Sequence, residues 1–239
     1  MIRGDTTSKK IALVFTGDQY ADGGEIIRST LRKAGVRASF FLTGNFYANR
    51  DFQDLIRGLR KDGHYLGAHS DRHLLYCDWQ KRDSLLVTKQ QFKQDLQHNY
   101  DKMQQFGVNK KDARYFMPPF EWYNDSIASW TRETGLQLIN YSPGTRSNAD
   151  YTTPQMKAYR SSEEIYESIT GKGLITGKGV TTLKEAAGLN GFILLLHIGT
   201  DPARTDKMYL LLPRLLAFFD ANGYEPVRID ELLEAKTEK

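Results

Sequence analysis

The sequence has little cysteine, no long apolar run and no block of like charge. One cysteine, Cys77, occurs in 239 residues, so no internal disulfide can form. Apolar runs such as Phe192 to Leu196 stop after a few residues, far short of the roughly 18 or more that a membrane-spanning helix requires. Lys and Arg number 33 against 29 Asp and Glu. This small basic excess is scattered, whereas a nucleic-acid reader presents a clustered basic face. The first ten residues are polar and show no signal peptide. A cytoplasmic chain or a mature, trimmed one is therefore expected, and nucleic acid and membrane spans are excluded as partners.

What remains is an ordinary globular composition, 40% hydrophobic and 26% charged, in a length suited to one domain over residues 1–239. Short apolar runs alternate with helix-like periods. Strands are expected at Ile11 to Phe15, Ala38 to Leu42, Tyr65 to Ala68, Tyr115 to Met117, Gln137 to Tyr141, Phe192 to Leu196 and Glu225 to Ile229. Between them, Ile26, Ile27 and Leu31 mark one helix, and Asp51 caps another that carries Leu55, Ile56 and Leu59. Phe92, Leu96, Tyr100 and Met103 mark a long helix over Lys89 to Phe106. Further helices are expected over Asn124 to Thr134, after a Ser161/Glu164 capping box, and over Tyr209 to Asn222. Residues 1–10 read as a polar lead and 151–190 as an irregular insertion. Strand–helix–strand alternation implies parallel pairing through crossover helices. A closed barrel and an open doubly wound sheet both satisfy it.

Three of the five histidines fall within residues 63–73, as His64, His69 and His73. His69 and His73 follow a strand, where α/β proteins gather their chemistry. Four residues apart, they face one ion if the backbone turns helically, although such pairs also arise by chance in surface turns. Asp18 follows the first strand after Gly17, a place where an aspartate ordinarily caps a turn. Asp22, beside Gly23 and Gly24, reads as turn chemistry. His197 ends the strand that begins at Phe192; alone it would be a structural histidine, but it is one of several polar groups at strand ends. In the loop Pro118 to Asn124, Glu121 stands among aromatics, and Trp122 and Tyr123 are candidates for stacking on a sugar ring or for simple rim packing.

Together these residues resemble the polysaccharide deacetylase family, metal-dependent esterases that remove acetyl groups from chitin-like and peptidoglycan-like glycans. Lys33 to Gly44 resembles the family's second-strand signature. Gly63 to His73 resembles its His-Ser/Thr-x-x-His metal motif, and Gly223 to Leu232 its closing segment. The resemblance runs from about Ile11 to Leu233. It implies an α/β fold, a distorted (β/α)7-type barrel in a single domain. It further implies a divalent transition metal on His69 and His73, with His197 as general acid. Zinc is the first expectation for the metal, and nickel, cobalt or iron also suit two imidazoles and a carboxylate. The implied partner is an acetylated glycan or oligosaccharide, and the implied setting bacterial and periplasmic or secreted.

Three motifs depart from the family pattern. The first-strand motif, usually Thr-Phe-Asp-Asp, is replaced by Val14-Phe15-Thr16-Gly17-Asp18, which puts Thr16 at the usual base and leaves Asp18 as the nearest carboxylate to serve as a metal ligand. Met117 stands where an arginine normally tethers that base. The aspartate that tunes the catalytic histidine is expected near Ser142 to Asn148, where no carboxylate stands, and Asp150 is out of register. Glu121 is then the leading replacement base. The alternatives are hydrolysis of another bond on the same scaffold, or a non-catalytic glycan-binding domain that keeps a structural metal.

Overall fold

The computed structural model describes residues 1–173 and 187–234. Its residues group into two compact units. The first comprises Met1, Thr16–Gln19 and Phe40–Asn140; the second comprises Ile2–Phe15, Tyr20–Ser39 and Tyr141–Lys239. The architecture is α/β with parallel strands, and the seven expected strands are all present among the described residues.

In the second unit, β1 (Lys10–Gly17) is built on Ile11 to Phe15, which are fully buried. An apolar run with no polar alternation is what a strand covered on both faces requires. β7 (Glu225–Val227) runs parallel to β1, pairing Lys10 with Glu225 and Ala12 with Val227. β6 (Ile193–His197) lies beside β1. Helix α1 (Gly24–Ala34) buries Ile27 and Leu31 and ends at Gly35, whose φ of 67° is left-handed backbone that favours glycine. Helix α6 (Ser162–Gly173) starts at the expected capping box: Ser161 N–H donates to Glu164 at 2.7 Å, and Glu164 N–H donates to Ser161 Oγ at 3.2 Å. Helices α7 (Leu212–Ala221) and α8 (Ile229–Leu233) complete the unit.

In the first unit the strand order is β5-β4-β3-β2, with β2 at Ser39–Leu42, β3 at Tyr65–Ala68, β4 at Tyr115–Phe116 and β5 at Gln137–Leu138. Ala68 pairs with Phe116, and Phe116 with Leu138. Four helices accompany them: α2 (Gly44–Ala48), α3 (Gln53–Lys61), α4 (Lys89–Gln104) and α5 (Asp125–Glu133). Helix α4 carries a Thr88/Gln91 capping box and buries Phe92, Leu96, Tyr100 and Met103 at spacings of three and four, as the sequence period requires.

Several expectations are corrected. Asp51 does not cap α3. Instead Asn49 accepts from Asp51 N–H at the start of a 3-10 turn, and Phe52, with no side-chain bond, precedes α3. Two short helices, α2 and α8, carry too few residues for a period to be read. Within the segment 151–190, the helix expected after the Ser161/Glu164 capping box is α6, and residues 174–186 lie outside the described residues.

Phe92 packs on Tyr76, Phe116 and Trp130 with ring centroids 5.0–6.1 Å apart. Phe92→Ala removes that common contact and is expected to cost about 3–5 kcal/mol, read as a lower denaturant midpoint. A loss under about 1 kcal/mol would show that this cluster does not anchor α4.

Candidate active site

The run His69 to His73 leaves the end of β3 through backbone that an L-residue adopts at a cost. Ser70 has φ 76° and His73 φ 54°, each left-handed and strained by about 1–3 kcal/mol. Helix α4 holds the run in place. Asn99 accepts from His69 N–H at 2.9 Å and donates to Leu42 O at 3.2 Å. Asp95 accepts from Asp71 N–H at 3.2 Å, Arg72 N–H at 3.1 Å and the Tyr76 hydroxyl at 2.7 Å. Burial raises the Tyr76 phenol well above its ordinary pKa, and the Asp95 charge raises it further, so Tyr76 stays a donor. Asp71, also buried, is neutralised by Lys102 at 2.6 Å. An added Cβ on Gly44 would run into the Asp71 carboxylate, so the α2 start closes on this run only with glycine there.

His69 Nδ1 lies 2.8 Å from the Met117 carbonyl oxygen. A carbonyl only accepts, so Nδ1 carries the proton and the lone pair sits on Nε2, the tautomer a metal-ligating histidine uses. The His73 ring stands 5.0 Å from the His69 ring, centroid to centroid. The two rings are thus neighbours just past the end of β3. Asp18 is half-buried; its Oδ1 accepts from Thr43 Oγ1 at 2.8 Å and Asn45 Nδ2 at 3.1 Å. No group of three or more His, Cys, Asp and Glu side chains that could hold a metal is gathered among the described residues.

Thr16 and Met117, in the places of the family's base and its arginine, are both buried, with exposures of 2% and 0%. The Thr16 hydroxyl has no hydrogen-bond partner. The Pro118 to Asn124 loop contains a 3-10 turn, Pro119–Glu121, in which Phe120 (φ 58°) and Glu121 (φ 53°) are left-handed. Glu121 is half-buried, and its carbonyl accepts from Asn140 at 2.8 Å. Trp122 and Tyr123 are half-buried, with the Arg82 guanidinium 4.3 Å and 5.4 Å from their ring centroids.

In the second unit, His197 Nδ1 is 2.6 Å from Asp150 Oδ1, and His197 N–H donates to Asp150 Oδ2 at 2.8 Å. This corrects the expectation that no carboxylate tunes His197. Asp150 lies in a 3-10 turn, Ser147–Tyr151, entered through left-handed Arg146 (φ 53°). That turn brings a residue beyond the expected window back to the strand end. The Tyr151 ring lies 5.4 Å from the His197 ring. Asp22 accepts from Thr200 N–H at 2.8 Å and the Tyr209 hydroxyl at 3.0 Å, and pairs with Lys207 at 2.9 Å. Burial acts to raise the Asp22 pKa, but these three partners together hold it below the usual carboxylate range. Its stabilising share is therefore present above that range and is lost as pH falls through the lowered value.

The family model described as polysaccharide deacetylase matches residues 3–139. The chain belongs to the polysaccharide deacetylase family. Among curated relatives it is 26% identical over 139 residues to the peptidoglycan-N-acetylmuramic acid deacetylase PdaA of Bacillus subtilis, covering 58% of this chain and 49% of that one. The chain spans about half the length of the first curated relatives it matches. Among solved structures it superimposes on the Bc1960 peptidoglycan N-acetylglucosamine deacetylase with a TM-score of 0.74 at 15% identity, covering 100% of this chain and 94% of that one. It also matches BA3943, described as a CE4 family pseudoenzyme from Bacillus anthracis, with a TM-score of 0.72 at 16% identity, covering 98% and 68%. These likenesses establish the polysaccharide deacetylase fold.

Within that fold, Asp95 and Asn99 were missed as supports of the histidine run, although a signal existed. They interrupt the apolar face of α4 with two polar residues one turn apart. Asp95→Ala strips the acceptor from two amides and a buried hydroxyl. Hydrogen exchange at the Asp71 and Arg72 amides should quicken at least about fivefold, the equivalent of about 1 kcal/mol. Unchanged exchange there would show that the run holds itself.

Proposed function

We propose that this chain acts on an acetylated carbohydrate, as a deacetylase dependent on one divalent metal, and that its catalytic step is slow because the family's usual base is missing. The observation that carries this reading is the His69–His73 pair, with His69 fixed in the tautomer that offers Nε2 to an ion. His69, His73 and Asp18 would hold the metal, with zinc the first choice and nickel, cobalt or iron alternatives. When bound, such an ion polarises an acetyl carbonyl and lowers the pKa of water.

The chain's own residues supply the rest. His197 carries the proton for the leaving amine or alcohol, and Asp150 holds its ring in orientation and balances the imidazolium charge. The amide after Pro119 would donate to the oxyanion. Glu121 is the leading base. It sits on a turn whose two left-handed residues are strained, the kind of backbone that persists where surrounding structure over-determines it. Overall, a water oxygen bonds to the acetyl carbon, the C–N or C–O bond breaks, the leaving group takes a proton, and acetate departs. A cell-wall or chitin-like glycan outside the membrane suits this chemistry and the relatives' substrates. No helix among the described residues is long and apolar enough to cross a membrane.

A second reading is favoured by one specific observation. Thr16 and Met117 replace the base and its arginine with buried groups that cannot take a proton, and a structural neighbour is described as a pseudoenzyme. In that reading the chain binds glycan without turnover.

Acetate release from N-acetylglucosamine oligomers by the metal-supplemented chain tests the proposal, and metal-dependent release would support it. Thr16→Asp with Met117→Arg, changed together because a lone buried charge is costly, should raise kcat by about 10²–10⁴-fold. Glu121→Gln should lower the wild-type rate with substrate affinity kept. Absence of release from both wild type and the double variant, with oligomer binding intact, would leave the binding-only reading.

A further inference from the structure

Between Tyr76 and Leu86 the chain forms a small hairpin-like loop that neither the family motifs nor the proposed catalysis uses. Cys77 and Leu85 form an antiparallel bridge, Leu86 N–H donates to Tyr76 O at 2.9 Å, and Asp78 N–H donates to Ser84 O at 2.9 Å. Trp79 lies within this loop and is 54% exposed. A single exposed ring is ordinary, whereas contiguous exposed apolar rings mark a contact surface.

The loop is fastened to the Pro118 to Asn124 segment by four bonds or stacks. Trp122 Nε1 donates to Asp78 O at 3.1 Å, Arg82 Nε donates to Tyr123 O at 2.6 Å, and Asn124 Nδ2 donates to Arg82 O at 2.9 Å. The Arg82 guanidinium stacks on Trp122. Thus fixed, Trp79 lies 5.6 Å from Trp122 and 5.4 Å from Phe120, which is itself 41% exposed. The Phe120 ring in turn lies 4.4 Å from the His73 ring. The result is a continuous aromatic ledge that begins at the histidine pair and runs outward through Phe120 to Trp79. Trp122 and Tyr123, candidates from sequence for a sugar platform or for rim packing, are half-buried beneath Arg82.

We propose that the Trp79–Phe120 ledge is a sugar-binding subsite that holds a pyranose ring of the glycan next to the one presented at His69 and His73, and so sets which chain lengths the protein takes. The inference rests on the carbohydrate reading above. Its chemistry favours a neutral sugar over an anionic group. Arg82, the cation that fastens the loop, is committed to Tyr123 O and two ring faces, while the exposed surface is apolar ring of the kind that packs on the C–H face of a pyranose. The Phe120 and Trp79 rings stand 74° apart, so one offers a floor and the other a wall.

Calorimetric titration of the full chain with the tetramer of β-linked N-acetylglucosamine tests this. Trp79→Ala should weaken binding about tenfold or more, the scale of a central aromatic anchor. Trp79→Phe should keep most of the affinity, and Leu86→Ala, on the same loop but outside the ledge, should leave it unchanged. Equal thermal stability of the variants checks that the fold is kept. If the wild type binds the tetramer and Trp79→Ala binds it equally well, the ledge is overturned and the carbohydrate reading stands. If the wild type does not bind any N-acetylglucosamine oligomer, both are overturned.

Discussion

The grip of helix α4 on the strand-end run is the interaction on which the histidine site depends. Left to itself, a segment with two non-glycine residues in left-handed backbone would relax to a cheaper path. Asn99 and Asp95 prevent this by taking up the amides of His69, Asp71 and Arg72, the first two of which are buried. The helix can do so because it is anchored on its other contacts by Phe92, Leu96, Tyr100 and Met103. Core packing thus fixes a helix, the helix fixes a strained turn, and the turn brings two imidazoles together. The Met117 carbonyl then fixes the tautomer of one of them.

The same economy explains the shape of the divergence. An aspartate in place of Thr16, surrounded as that residue is by protein, would need a partner to remain charged. Met117 offers none. Thr16 and Met117 are an uncharged pair, and the Thr16 hydroxyl is left without a hydrogen bond, at a cost of about 1–3 kcal/mol. Where charge is retained in the buried part of the loop, at Asp71, it is met by Lys102. The proposed function therefore rests on what the histidine pair and Glu121 achieve without the usual base.

Much of this was legible in the sequence. The strands declared themselves as unbroken apolar runs, and helix α4 by its period. His69 and His73 were found because spacing of four after a strand is a local pattern. What escaped was non-local or lay in short irregular turns. Asp150 reaches His197 only because a left-handed residue and a 3-10 turn fold it back, which no register argument supplies. Asp95 and Asn99 were hidden in a helix whose apolar stripe drew attention to its packing. Trp79 gave no signal of its own, since an aromatic in a polar loop becomes meaningful only once the loop is seen pinned beside Phe120.

Metal content is the most direct test of the histidine pair. Metal content of the full chain, measured after dialysis against a mixture of zinc, nickel, cobalt and iron salts, should be about one ion per chain in the wild type. It should fall to background in the His69→Ala, His73→Ala double variant, with Asp18→Ala weakening retention far more than Asp22→Ala. An ion retained undiminished by the double variant would contradict the assignment of the histidine pair, as would a wild type that takes up no ion at all.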